Sequence, residues 1–169
     1  DSTVAGIVAE AKEVADVLGS EVVAATTSSF VRGSNPGAAP GSNRGTESTA
    51  NNMIAQSAVQ SLEAFLGRDI DFGIMNAGGV RADIGAGDIT YKQAFEVQPF
   101  GNDISLATVS GAVIKEMLEN QWQTSEQEAK SGRPRLDLGL SDNVSYTYDP
   151  DAPRGEKILS ITLDGEPIR

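Results

Sequence analysis

The chain has 169 residues, a one-domain length, and 24 acidic residues against 13 basic ones give it a formal charge of −11. That balance opposes a long nucleic-acid polymer, which is held by summed phosphate contacts, yet lets a few arginines converge on a small anion. Cysteine and histidine are both absent, which removes disulfides, thiolate and histidine catalysis, and every metal centre that uses those ligands.

The elements follow in chain order. Val4, Ile7, Val8, Ala11, Val14 and Leu18 recur at helical spacing, with Ser2 or Thr3 as cap and Gly19 as stop. Glu21 to Phe30 is rich in Val and Thr and predicts a strand. Gly33 to Gly45 is a loop of Gly, Pro, Ser and Asn, long enough to suggest a functional or mobile segment. A second helix is expected from about Glu47 to Leu66, burying Ile54, Ala58, Leu62 and Phe65 and ending at Gly67. Asp71 to Met75 predicts a short strand running into Asn76-Ala77-Gly78-Gly79-Val80-Arg81. A helical turn capped by Thr90 precedes Gln98-Pro99-Phe100-Gly101-Asn102, and Ile104 to Val109 predicts another strand. Ser110 then caps a helix expected to pack Val113, Met117, Leu118 and Trp122, and Thr124 to Gly132 is polar and solvated. Val144 to Tyr148 and Ile158 to Leu163 alternate as hairpin strands, linked by Asp149 to Gly155. Helices interleave with strands, but the late hairpin argues against a purely parallel sheet, so the expected class is a layered α+β domain.

Three segments carry candidate chemistry. At Asn76 to Arg81 a strand ends in two adjacent glycines, which let a backbone approach a ligand closely. Asn76 can donate and accept toward a base or ribose, and Arg81 offers a planar fork for phosphate or carboxylate. An ordinary strand-to-loop turn with a surface arginine has the same sequence. Phe100, between Pro99 and Gly101, either stacks on a nucleobase or anchors its loop under the sheet. Arg44 lies three residues before Glu47, beside a helix N-terminus, where arginine and backbone N–H groups both attract anions; an exposed salt bridge to Glu47 is the alternative. Asp69, Asp71, Asp149 and Asp151 read as turn carboxylates, and no spacing like a calcium loop occurs.

In combination these stretches resemble the C-terminal domain of the 5'-nucleotidase family. The matching pieces are Arg44-Gly45-Thr46-Glu47 with Asn52, Asn76-Ala77-Gly78-Gly79-Val80-Arg81, Gly87-Asp88-Ile89-Thr90-Tyr91, Gln98-Pro99-Phe100-Gly101-Asn102, and Ser110-Gly111 opening a helix. The resemblance implies a four-layer α/β/β/α arrangement with mixed sheets over residues 1–169 and a role in gripping the nucleoside or nucleotide. It implies that Arg44 and Arg81 face the phosphate and sugar side of the substrate. Asn76 and Gly79 would touch base or ribose, Phe100 would form half of an aromatic clamp, and Asn102 would add a polar contact; Arg32 is a candidate for a further arginine. The catalytic residues and two divalent metal ions are expected in an N-terminal metallophosphoesterase domain outside this chain, which would be its partner and to which this chain supplies neither.

The chain opens without Met and stops at Arg169, before the Gly-rich segment that holds the family's second clamp aromatic and a ribose-binding aspartate. Half a pocket, and truncation at the C-terminal end, are therefore expected. The resemblance also implies export to the periplasm, the cell surface or the medium. No apolar run approaches the ~18 residues of a membrane span. The competing reading is a non-catalytic secreted nucleotide-binding or surface-interaction module on the same fold.

Overall fold

The structure is a computed structural model and describes residues 2–168. Helix α2 (Thr49–Leu66) is the element on which the functional region is built. Its start is fixed by Ser48, whose hydroxyl accepts from the Asn51 N–H, and its end by Gly67 in the left-handed conformation at φ 65°. Against it lies a two-stranded antiparallel pair, β2 (Ile74–Met75) with β4 (Gly139–Leu140). Two glycines permit that contact. A Cβ at Gly139 would stand 2.5 Å from the Asn51 backbone carbon, and one at Gly73 would stand 2.5 Å from the Ala55 carbonyl oxygen.

This close approach also selects which face of α2 is buried. The buried residues are Ala50, Asn51, Ala55 and Val59, small enough to sit under strand backbones. The expected face of Ile54, Ala58, Leu62 and Phe65 is rotated partly away: Ile54 packs on the core, but Phe65 is 84% exposed.

Two small cores result. One joins Ile114 and Leu118 of α4 (Gly111–Glu119) to Leu140 and to Ile158 and Ile161 of β6 (Ile158–Leu163). The other joins Ala50, Val80, Ile84 and Val97, with Phe30, Met53 and Met75 packed on it. The late hairpin forms as expected, with β5 (Val144–Tyr148) antiparallel to β6 and a short β7 (Glu166–Pro167) on the far side of β6. A third sheet pairs β1 (Val22–Thr26) with β3 (Gly87–Thr90). Helices with small sheets make this an α+β fold; every pairing among the described residues is antiparallel, where mixed sheets were the expectation.

Helix α3 (Tyr91–Val97) starts with a reciprocal capping box between Thr90 and Gln93. Thr124 and Gln127 make another for α5 (Ser125–Ser131), so the polar stretch expected to be solvated is an exposed helix. In α4 the buried residues are Ile114, Leu118 and Glu119, whereas Val113 faces out, and Ser110 adopts extended N-cap geometry without a side-chain cap bond. Ile104 to Val109 forms no strand: among the described residues no neighbour supplies the ladder bonds, and Ile104 and Leu106 are exposed. Helix α1 (Ser2–Gly19) forms as its periodicity predicts and packs on α3 through Gly19 and an Asp16–Lys92 ion pair of 2.8 Å, with its apolar stripe exposed.

Candidate functional site

The chain leaves β2 at Met75 and turns at once, with the Gly79 N–H donating to the Asn76 carbonyl at 3.0 Å. A buried amide holds this turn to the start of α2: Asn51 donates through Nδ2 to the Asn76 carbonyl at 3.1 Å and accepts from the Ser48 hydroxyl at 2.8 Å. Asn51 is a poor helix former, and this tether is its physical reason for standing in the first turn. The next residues are fixed from the other side, where the Arg81 N–H donates to the Val97 carbonyl at 2.9 Å.

Between the turn, the start of α2 and the Gly33–Gly45 loop lies a cavity of about 50 Å³. Its wall carries Arg32, Arg44, Arg81, Asn51, Ala77 and Asp137. The three arginines are not equivalent. Arg32 is committed, with Nε and Nη2 each 3.1 Å from the two carboxylate oxygens of Asp83, which also accepts the Arg32 backbone N–H at 2.8 Å. Burial raises the Asp83 carboxyl, but its bonds from Arg32 pull it below the usual carboxylate range. Arg81 donates to the Gly78 carbonyl at 3.3 Å and lies 5.8 Å from the centre of the Phe100 ring.

Arg44 has no hydrogen-bond or ion-pair partner for its guanidinium among the described residues. Burial, then repulsion from Arg133, Arg81 and Arg32, lowers its proton affinity below the ordinary arginine value. A guanidinium in that position lacks the counter-charge that a bound anion would bring. The cavity lies at the N-terminal end of α2, whose macrodipole favours negative charge. The first N–H groups of α2 are already used, Ala50 toward the Val31 carbonyl and Asn51 toward Ser48, so the attraction comes from side chains and dipole.

Phe100 stands beside Arg81 and is 56% exposed, with Gly101 at φ 60° turning the chain behind it. A half-open ring next to an arginine can take a flat ligand on its face. The site thus joins an anion hole to an aromatic shelf.

Of the residues singled out in the sequence, Arg44, Arg81 and Phe100 come together with the Asn76 turn. Asn76 itself is exposed at the rim. Gly79 is buried, and a Cβ there would collide with Met75 Cε and Asn76 Oδ1, so its smallness serves the packing of the turn. Gly78 is the glycine that faces the cation, since a Cβ on it would lie 3.4 Å from Arg44 Nη1. Asn102 is exposed two residues beyond Phe100. Arg133 and Asp137 were not singled out. Their stretch, Arg133-Pro134-Arg135-Leu136-Asp137, carries no motif, and it is brought here by the Asp137 N–H bond to the Arg44 carbonyl at 2.7 Å and by the packing of the Arg135 backbone on Gly45.

Among the described residues no group of three or more Asp or Glu side chains is placed to hold a metal ion, and no helix is long and apolar enough to cross a membrane.

Residues 22–169 match the family described as 5'-nucleotidase, C-terminal domain. A probable 5'-nucleotidase of Treponema pallidum is 29% identical over 157 residues, covering 93% of this chain and 26% of that protein. A 5'-nucleotidase of Vibrio cholerae is 41% identical over 117 residues, covering 69% of this chain and 18% of that protein. Among solved structures, a 5'-nucleotidase precursor from Thermus thermophilus superposes with a TM-score of 0.64 at 24% identity, over 93% of this chain and 28% of its own, a likeness of fold. The chain thus spans about a quarter or less of the length of these curated relatives.

Proposed function

The chain belongs to the 5'-nucleotidase C-terminal domain family, and from that premise we propose that it is the nucleotide-recognition domain of an exported 5'-nucleotidase. In this reading Arg44 and Arg81 hold the phosphate and sugar side of a nucleotide, Asn76 meets the base or ribose, and the base stacks on Phe100. Asn102 and the Gly79-buttressed turn complete that edge. Phosphate-ester hydrolysis then belongs to a metal-bearing domain of the same protein outside residues 1–169. This chain's share is to bind and orient, which lowers the barrier by positioning.

The observation that carries the proposal is the unpartnered Arg44 guanidinium in a cavity it shares with Arg81, which itself stands beside the half-exposed Phe100 ring. A partly buried cation without a partner is costly, and a charge-assisted bond to a phosphate offsets that cost by roughly 1.5–3 kcal/mol. The relatives are named as nucleotidases, which supports the nucleotide as the source of that phosphate.

The test is phosphate release by the full-length protein from AMP, UMP, a cyclic nucleotide and UDP-glucose, with and without a chelator. Chelator-sensitive release that falls in Arg44→Ala and Phe100→Ala supports the proposal and ranks the substrates. No release from any of them would move the domain to the non-catalytic binding module.

A further inference from the structure

Asp137 is the one carboxylate on the wall of the arginine cavity among the described residues. Its backbone N–H donates to the Arg44 carbonyl, and the two residues share the wall of the cavity, yet the carboxylate forms no ion pair with Arg44. The carboxylate is instead bound by Arg135 Nη2 at 2.7 Å, with the two side chains only 14% and 8% exposed.

Arg135 is held in place from outside the cavity. Its guanidinium lies between the rings of Trp122 and Tyr148, 4.5 and 4.6 Å from their centres. Nη1 donates to the Tyr148 hydroxyl at 2.7 Å and Nη2 to the Tyr146 hydroxyl at 3.0 Å. The fit leaves Arg135 Nε buried without a partner, a cost that stability alone does not explain. A buried ion pair contributes little net stability, because desolvation offsets the Coulomb attraction. The aromatic brackets come from the turn after α4 and from β5, which contribute no residue to the cavity.

We propose that Arg135 is a positioning residue for the anion site: it acts as an internal counter-ion that takes up Asp137 and leaves Arg44 uncommitted for a ligand phosphate. The arginine cavity keeps its net positive charge only while Asp137 is cancelled from behind. This inference rests on the nucleotide reading for the identity of the anion, while the Arg135–Asp137 ion pair and the cavity wall that Asp137 shares with Arg44 are independent of it.

The test uses the full-length protein in chelator, with AMP binding followed by calorimetry and folding checked by thermal melting. Arg135→Gln leaves Asp137 uncompensated beside Arg44 and weakens AMP by about tenfold, the size of one charge-assisted bond. Asp137→Asn alone tightens AMP, because a negative charge leaves the wall. The double variant Arg135→Gln with Asp137→Asn returns to at least the wild-type affinity. A purely structural pair gives the opposite pattern, with both single variants weaker and no recovery in the double, and that result overturns the inference. If Arg135→Gln does not fold, Asp137→Asn decides by itself, since a loss of affinity there contradicts the counter-ion role.

If the wild type does not bind AMP, the nucleotide reading fails, and the counter-ion role is decided by a crystal structure of Arg135→Gln, or of Arg135→Lys if the former does not fold. The glutamine variant must show the Asp137 carboxylate turned onto Arg44, and the lysine variant must keep Asp137 on Lys. Any other arrangement overturns the role.

Discussion

Arg32 and Arg44 show how two arginines of one cavity can have opposite effects on stability. Arg32 is tied to Asp83 by two side-chain bonds and a backbone bond, so Arg32→Ala costs about 1 kcal/mol of folding stability. Arg44 is unpartnered and repelled by its neighbours, so Arg44→Ala leaves the melting temperature unchanged or higher while AMP affinity falls by roughly 1.5–3 kcal/mol. Parallel thermal melts and binding titrations check both. Phe100→Ala removes the stacking face and weakens AMP by roughly 1–3 kcal/mol, read in the same titration; an unchanged affinity would take Phe100 out of the site.

Asp83 also sets a pH dependence. Its folded proton affinity is lowered by Arg32, so its contribution is present above the ordinary carboxylate value of about 4 and is lost as pH falls through the lowered value. Asp137 has the reverse sign: burial, with Glu47 adding and Arg135 opposing, raises it, so its ionisation opposes folding as pH rises through the raised value. Urea unfolding at about pH 3 and about pH 7 separates them. Asp83→Asn destabilises at the higher pH and converges on wild type at the lower one.

At the scale of elements, α2 and the strands packed on it position the loops that line the cavity. Gly139→Ala drives a Cβ into the Asn51 backbone, and overpacking of that kind costs typically 1–3 kcal/mol. Because Asn51 tethers the Asn76 turn, the same variant loses AMP affinity along with stability, which urea titration and calorimetry would show together. The helices α1 and α2 were legible because their apolar periodicity and their Gly19 and Gly67 stops are local signals. The buried face of α2 was not legible, because it depends on glycines at positions 73 and 139 that are close only in space. That Arg44, Arg81 and Phe100 fall in one region was foreshadowed by the short motifs around them, whose proposed binding role is a matter for the titrations above. Asp137 and Gly78 were not, since their roles come from a backbone bond and from the direction of one absent Cβ.

For the molecule as a whole, the site is a small positive cavity in a chain of net charge −11. The long-range field opposes anions, so the proposed recognition of a phosphate depends on local convergence of arginines and grows steeper at short range. The 169-residue chain also exposes Ile104 and Leu106 in a segment that forms no strand, together with the apolar stripe of α1. Such surfaces pair with one another. Sedimentation of this chain should show association that increases as salt screens the −11 charge, and Leu106→Lys should shift it toward monomer.

The most direct measurement is a crystal structure of the full-length protein with AMP bound in the presence of chelator. The account predicts a phosphate oxygen about 3 Å from the Arg44 guanidinium, a second contact from Arg81, and adenine stacked on the Phe100 ring. AMP bound elsewhere, for example in the groove of about 960 Å³ between α2 and β5, with Arg44 still unpartnered, would contradict it.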